Sequence, residues 1–257
     1  MIKKILITSL ISMASLTSLN SLAANEEISA SPWTGLYLGG NGGWGFSRTA
    51  VDASPYGATA IADITPQSVS ALNNGGLFGV QAGYNWQKGR MVLGIEGDFD
   101  GASMNSNSSN VFKDNLGTST ATNGLNVNSN VDKLASLRAR IGTTWKSGLI
   151  YFTAGGAFEQ ITTTTMVSGN TASGVYGQSA AGTFTNYKPG FVLGSGIEWM
   201  TSQNWIVRGE YMYYDFIGAS SNNSLPIANC ATPNCGVTIS SGNNMISTIR
   251  LGVNYKF

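Results

Sequence analysis

Histidine is absent from all 257 residues, and cysteine occurs twice. Without imidazole, Ser-His-Asp and Cys-His catalysis and His-ligated metal or haem sites are excluded. Charge is scarce as well: 14 Lys and Arg face 13 Asp and Glu, and charged residues make up only 11% of the chain. No basic cluster exists that could follow a phosphate backbone, so nucleic acid is not an expected partner. After the first two dozen residues there is no apolar run of about 18 or more, hence no transmembrane helix. What the chain has in quantity is glycine (33), with ten Tyr, ten Phe and six Trp. That composition suits neither a helical bundle nor an ordinary soluble enzyme.

The N-terminus reads as an export signal over residues 1–23. Lys3 and Lys4 form a positive start, Ile5 to Leu16 an apolar stretch, and Ser21-Leu22-Ala23 a small-x-small cleavage site. Residues 24–32 are then a short periplasmic tail and 33–257 a single domain. An exported chain without an apolar helix is either soluble or a closed β-barrel in lipid, because hydrocarbon tolerates only helices and closed barrels.

Period-two alternation points to strands. Leu36, Leu38, Trp44 and Phe46 alternate with Tyr37, Asn41 and Ser47, and Phe78, Val80, Tyr84 and Trp86 with Gln81, Asn85 and Gln87. Met91, Leu93, Ile95 and Phe99 oppose Glu96, Asp98 and Asp100. Val131, Ala135, Leu137 and Ile141 oppose Asp132, Ser136, Arg138 and Arg140. Four further segments repeat the pattern around Phe152, Leu193, Val207 and Leu251, giving eight strands of a dozen residues or more. A membrane-crossing strand needs about ten tilted residues. Tight polar turns near 87–90, 146–148 and 201–204 alternate with long Asn/Ser/Thr/Gly-rich segments at about 49–75, 103–130, 162–185 and 218–244. Such short-long alternation is that of a transmembrane barrel with external loops. The expected fold is therefore all-β, an eight-stranded up-and-down antiparallel barrel.

The placement of charge separates this from a soluble, lipocalin-like barrel. The apolar face carries almost none, with Lys133 and Asp215 as exceptions near the loop side, while the alternate face holds Glu96, Asp98, Arg138, Arg140, Glu198, Arg208, Glu210 and Arg250. The apolar face must therefore look into lipid. Trp86, Trp145, Trp199, Tyr255 and Phe257 at the turn ends, with Trp44, Phe46 and Tyr213 towards the loops, form interfacial girdles. Eight strands leave an interior just filled by side chains, so the inward charges are expected to pair as a plug. A narrow gated ion path and a carboxylate active site are the alternatives.

Two other patterns have bland explanations. Gly40-Asn41-Gly42-Gly43-Trp44-Gly45 matches the dinucleotide fingerprint, but it lies inside a strand of an exported protein, and small inward residues explain it better. Cys230 and Cys235 frame four residues of the last long loop. A disulfide contributing about 2 kcal/mol is expected there, with free or intermolecular thiols as alternatives. No metal or cofactor is implied.

Trp33-Thr34-Gly35-Leu36-Tyr37-Leu38-Gly39 resembles the opening strand of small Gram-negative outer-membrane barrels. Gly194 to Trp199 with Asn204 to Tyr211 resembles their sixth and seventh strands. The ending Arg250 to Phe257, with Tyr255 two before the final Phe257, is similar to the signal read by the barrel-assembly machinery. The chain thus resembles the porin-like surface antigens related to the OmpA transmembrane domain and the opacity proteins. The resemblance implies an outer-membrane location and contact with lipid and lipopolysaccharide. It also implies assembly through periplasmic chaperones and loops that meet host molecules. It further implies a salt-bridge gate built from Glu96, Arg140, Glu198 and Arg208, with Arg140 where that relative has a lysine. The expected role is non-enzymatic: envelope integrity and surface presentation, or alternatively a narrow diffusion pore.

Overall fold

The computed structural model describes residues 32–56, 67–111, 124–169, 178–217, 221–226 and 236–257. The export signal, Cys230 and Cys235 lie outside the described residues. Nine strands are described: β1 Gly35–Tyr56, β2 Gln67–Lys88, β3 Met91–Val111, β4 Gly124–Trp145, β5 Gly148–Gly169, β6 Gln178–Met200, β7 Trp205–Phe216, β8 Ser221–Pro226 and β9 Gly236–Lys256. Consecutive strands pair antiparallel from β1 to β7. β7 then pairs with β9 and β9 with β1, closing an eight-stranded ring. Closure leaves no unpaired edge at membrane depth, which is the condition for a sheet to sit in hydrocarbon.

Register fixes the shape. From Asn41, register partners run one way through Gly79, Asp100 and Leu134 to Glu159 of β5. The other way they run through Gly252, Arg208 and Glu198 to Leu149, ten residues from Glu159 on the same strand. That displacement tilts the strands and sets a lumen just wide enough for side chains to fill.

Burial alternates along every strand. In β7, Trp205, Val207 and Tyr211 are exposed, whereas Ile206, Arg208, Glu210 and Met212 are buried. Leu38, Phe78, Phe99, Leu137, Phe152, Leu193 and Leu251 all point outward and are about half exposed or more. This is the inverse of a soluble barrel. At the turn end Trp145 meets Trp199 edge-on at 6.3 Å, and Tyr255 lies 5.2 Å from both Trp205 and Phe257. The turns are stitched together by backbone bonds: Thr144 N–H to the Arg90 carbonyl at 2.9 Å, and Met200 N–H to that of Ser147 at 2.9 Å. Gly89 and Lys146 supply the left-handed residues at φ 60° and 50°.

Three expectations need correction. Every strand of the ring except the 12-residue β7 runs 21–23 residues, about twice the length needed to cross a membrane, and they continue into the ranges read as loops: β1 runs to Tyr56, β3 to Val111 and β5 to Gly169. Asn- and Thr-rich strand extensions read as loop because polar residues on the outer face remove the alternation. The range 218–244 holds a ninth strand, β8, which replaces β7 as the partner of β9 beyond Asn244. Third, Val131 faces inward and is fully buried rather than outward. A bulge at Asp132, between the pairs Val131↔Ile161 and Lys133↔Gln160, inverts the face of everything beyond it on β4. Lys133 consequently stands mid-strand, at the upper edge of the apolar belt.

Candidate functional site: the charged lumen

All eight ionic residues expected inside lie inside, each 7% exposed or less. Several are placed as direct cross-strand neighbours: Glu96 opposite Arg138, Glu198 opposite Arg208, and Glu210 opposite Arg250. A bond only partly follows this register, because side chains also reach across the lumen.

Glu96 is the hub. Arg208 grips it with both terminal nitrogens, at 2.6 and 2.8 Å, the bidentate geometry that strengthens guanidinium–carboxylate pairs. Arg138 donates to its other face, Arg140 approaches at 3.4 Å, and the Tyr37 hydroxyl donates at 2.5 Å. Glu210 is a second acceptor, taking Arg138 at 3.0 Å, Arg208 at 2.8 Å and the Tyr151 hydroxyl at 3.0 Å. Glu198 holds Arg140 at 2.9 Å. Nearer the loop side, Arg250 joins Asp98 at 3.3 Å and Asp100 at 2.8 Å, while Asp98 also takes Arg138 at 2.9 Å and the Ser136 hydroxyl at 2.5 Å.

Three members escaped the sequence reading as site residues. Asp100 lies on the inward register of β3, two places beyond Asp98, and that spacing was the available signal. Tyr37 and Tyr151 are inward aromatics, which alternation alone reads as filling. Their rings need glycine opposite: a Cβ on Gly83 would lie 2.3 Å from the Tyr37 hydroxyl, and one on Gly196 2.4 Å from that of Tyr151. Arg140 also sits 3.9 Å from the Tyr151 ring centroid, a cation–π contact inside the network.

Apolar clusters flank the network at both ends. Towards the turns, Trp33, Val92, Leu149, Tyr151 and Ile206 pack together and are buried. Trp33 is held there by its backbone N–H, which donates to the Gln87 side-chain oxygen at 3.0 Å. Towards the loops, Leu77, Met104, Leu134, Ile161, Phe216 and Ile246 belong to a second cluster, in which Tyr214 stacks on Phe216 at 5.8 Å. Across that level runs a hydrogen-bonded relay. The Asn244 amide donates to Glu159 at 2.5 Å and accepts from the Ser47 and Thr49 hydroxyls at 2.6 and 2.9 Å. The ring thus has a lipid-facing exterior and an interior filled by a salt-bridge network between two apolar clusters.

The family model described as "Outer membrane protein beta-barrel domain" matches residues 9–257. The chain belongs to this outer-membrane β-barrel family. Its location is accordingly the outer membrane of a Gram-negative bacterium. Within the family it is similar to a 31 kDa outer-membrane immunogenic protein of Brucella melitensis, 28% identical over 96% of this chain and 98% of that one. It is also similar to a 25 kDa outer-membrane immunogenic protein of Brucella canis, 30% identical over 89% and 79%. Among solved structures, OprG of Pseudomonas aeruginosa aligns over 87% of this chain and 96% of its own, at 13% identity and a TM-score of 0.43. The terminal residues of the family barrel are lipid-facing here: Tyr255 and Phe257 are 37% and 66% exposed, and the Phe257 N–H donates to the Leu36 carbonyl at 3.0 Å.

Proposed function

We propose that this barrel is a non-conducting, non-catalytic scaffold that spans the outer membrane and presents its loop-side strands and connections outside the cell. The observation that carries this reading is the filled lumen. A conducting path would have to displace the arginine–carboxylate network, and water would also have to enter two apolar clusters, which resist wetting. The acids of the central network are held by guanidiniums, which removes them as general bases. Surface presentation follows from topology, since every short turn lies at one end and every long connection at the other. The Brucella relatives are named outer-membrane immunogenic proteins, which supports this reading. Planar-bilayer recording of the purified full chain tests the proposal: a quiet baseline is expected, and frequent stable openings of the unmodified protein would overturn it in favour of a gated diffusion pore.

A further inference from the structure

On the loop side of the apolar belt, one strand has a neighbour on one side only. β6 pairs with β5 along nearly its whole length, from Gln178↔Gly169 to Trp199↔Gly148, without a register break. Its ladder with β7 covers only the part from Gly190 towards the turns. The last backbone bond on that side runs from the Ile217 N–H to the Pro189 carbonyl at 3.2 Å. β8 continues the lane of β7, yet among the described residues it pairs only with β9. It meets β6 through a side chain instead: buried Leu225 fills the space that a Cβ on Gly182 would need.

Parity decides which groups are left over. In an antiparallel sheet a residue turns its N–H and its C=O to the same neighbour, and successive residues alternate. Pro189 faces the β7 lane, so Ala181, Thr183, Thr185 and Tyr187 face it as well. Gly182, Phe184 and Asn186, between them, serve the ladder with β5. Among the described residues no backbone bond reaches those four from the β8 side. The interior shows the same opening. Inward Thr163 and Thr165 of β5 are 3% and 0% exposed, whereas inward Gly182, Phe184 and Asn186 of β6 are only half-buried.

Sheets guard such an edge with proline, charge, a bulge or a covering element. Pro189 is a guard of this kind, placed where the paired ladder ends and with no N–H to leave unbonded. From Gln178 to Tyr187 there is no further proline and no charged residue. Thr183, Thr185 and Tyr187 are exposed and of strand-forming type. An uncharged, unbulged edge is a template for one more strand, held through its backbone. A second barrel does not fit it. Copies in one membrane are related by rotation about its normal, and their tilted β6 strands would meet crossed.

We infer that the edge of β6 from Ala181 to Tyr187 binds an extended peptide segment of an external protein, added antiparallel in the lane that β7 leaves. Every second side chain of that segment points inward beside Phe184 and Leu225, so it alternates apolar with polar residues. The inference deepens the proposed scaffold role and rests on the outward orientation of the loop side.

The probe is a labelled synthetic peptide with the sequence of residues 161–169, the stretch of β5 that pairs antiparallel with β6 from its other side. Its binding to the full mature chain in detergent is read by fluorescence anisotropy, and saturable binding is expected. The same peptide with all its amides N-methylated keeps its side chains but cannot pair, and should not bind. In the protein, Thr183→Pro with Thr185→Pro removes two donors from the free side and none from the β5 ladder. That variant should bind about tenfold more weakly. Thr183→Val with Thr185→Val keeps the donors and should bind as wild type does. Equal binding of the methylated peptide, or by the proline variant, would overturn the edge. So would a wild-type chain that binds nothing, or that binds only after deletion of residues 227–235, since the chain then fills its own lane. Should the proline variant fail to migrate as a folded barrel, the methylated peptide decides alone. Orientation is read separately on intact cells, from an impermeant maleimide and Met166→Cys in a Cys230→Ser, Cys235→Ser background; Met166 is 57% exposed on β5. Labelling without peptide binding sinks the edge and leaves the orientation standing, whereas no labelling sinks the orientation and the external partner with it.

Discussion

Replacing Glu96 by Ala removes the acceptor shared by three guanidiniums and the Tyr37 hydroxyl. Each arginine keeps another partner: Arg208 has Glu210 at 2.8 Å, Arg138 has Asp98 at 2.9 Å, and Arg140 has Glu198 at 2.9 Å. Full loss of a buried pair costs about 3–5 kcal/mol. Here no arginine is stranded, but the bidentate clamp of Arg208 is lost, so about 3 kcal/mol is the expected destabilisation. Glu198→Ala should cost less, because Glu198 takes only Arg140 at 2.9 Å and Arg208 at a weak 3.7 Å. Urea titration of the folded barrel in vesicles, read by the shift between folded and unfolded gel mobility, gives both numbers. A Glu96→Ala loss below about 1 kcal/mol, or a larger loss for Glu198→Ala, would refute the hub assignment.

Further expectations concern the seals and the ends of the chain. Trp33→Ala should cost about 3–5 kcal/mol by opening a cavity in the turn-side seal, measured in the same titration, and a neutral effect would mean Trp33 does not close the lumen. Leu134→Ser, Trp33→Ala and Glu96→Ala combined, which loosen both apolar clusters and the charged hub, should give bilayer openings that none of the three gives alone; currents from Leu134→Ser alone would show that neither the charged network nor the turn-side cluster is a barrier. Deleting Phe257 should lower the yield of folded barrel in cells, and unchanged yield would count against its role in assembly. Reducing Cys230 and Cys235 should alter antibody recognition of the last connection but not heat-modifiable migration; loss of the folded band would contradict that.

The ring, the inward set of charges and the lipid-facing side were legible because alternation along a strand is strict and the two solvents of this protein differ so sharply. Leu251 and Arg250 could only be assigned one way. Val131 was misplaced because a single bulge residue, Asp132, flips the register without any local sign. Strand ends at Tyr56, Val111 and Gly169 were missed for a different reason: beyond the belt the outer face is polar, and a strand wet on its outside has little alternation left. Which charge meets which was also beyond reach. Glu210 and Arg250 are register partners, yet Arg250 bonds Asp98 and Asp100. Contacts across a lumen depend on side-chain reach and on the ten-residue displacement around the ring, neither of which is local in the chain.

Site-directed spin labels along β5, in vesicles, test the inside-out arrangement most directly. Labels at Phe152, Ala154 and Phe158 should collide with oxygen dissolved in lipid and be shielded from an aqueous nickel reagent. Labels at Thr153 and Glu159 should be sheltered from both, and those at Thr162 and Thr164 should meet the aqueous reagent. Free aqueous collision at Phe152 and Phe158, with no period of two along the strand, would contradict the account.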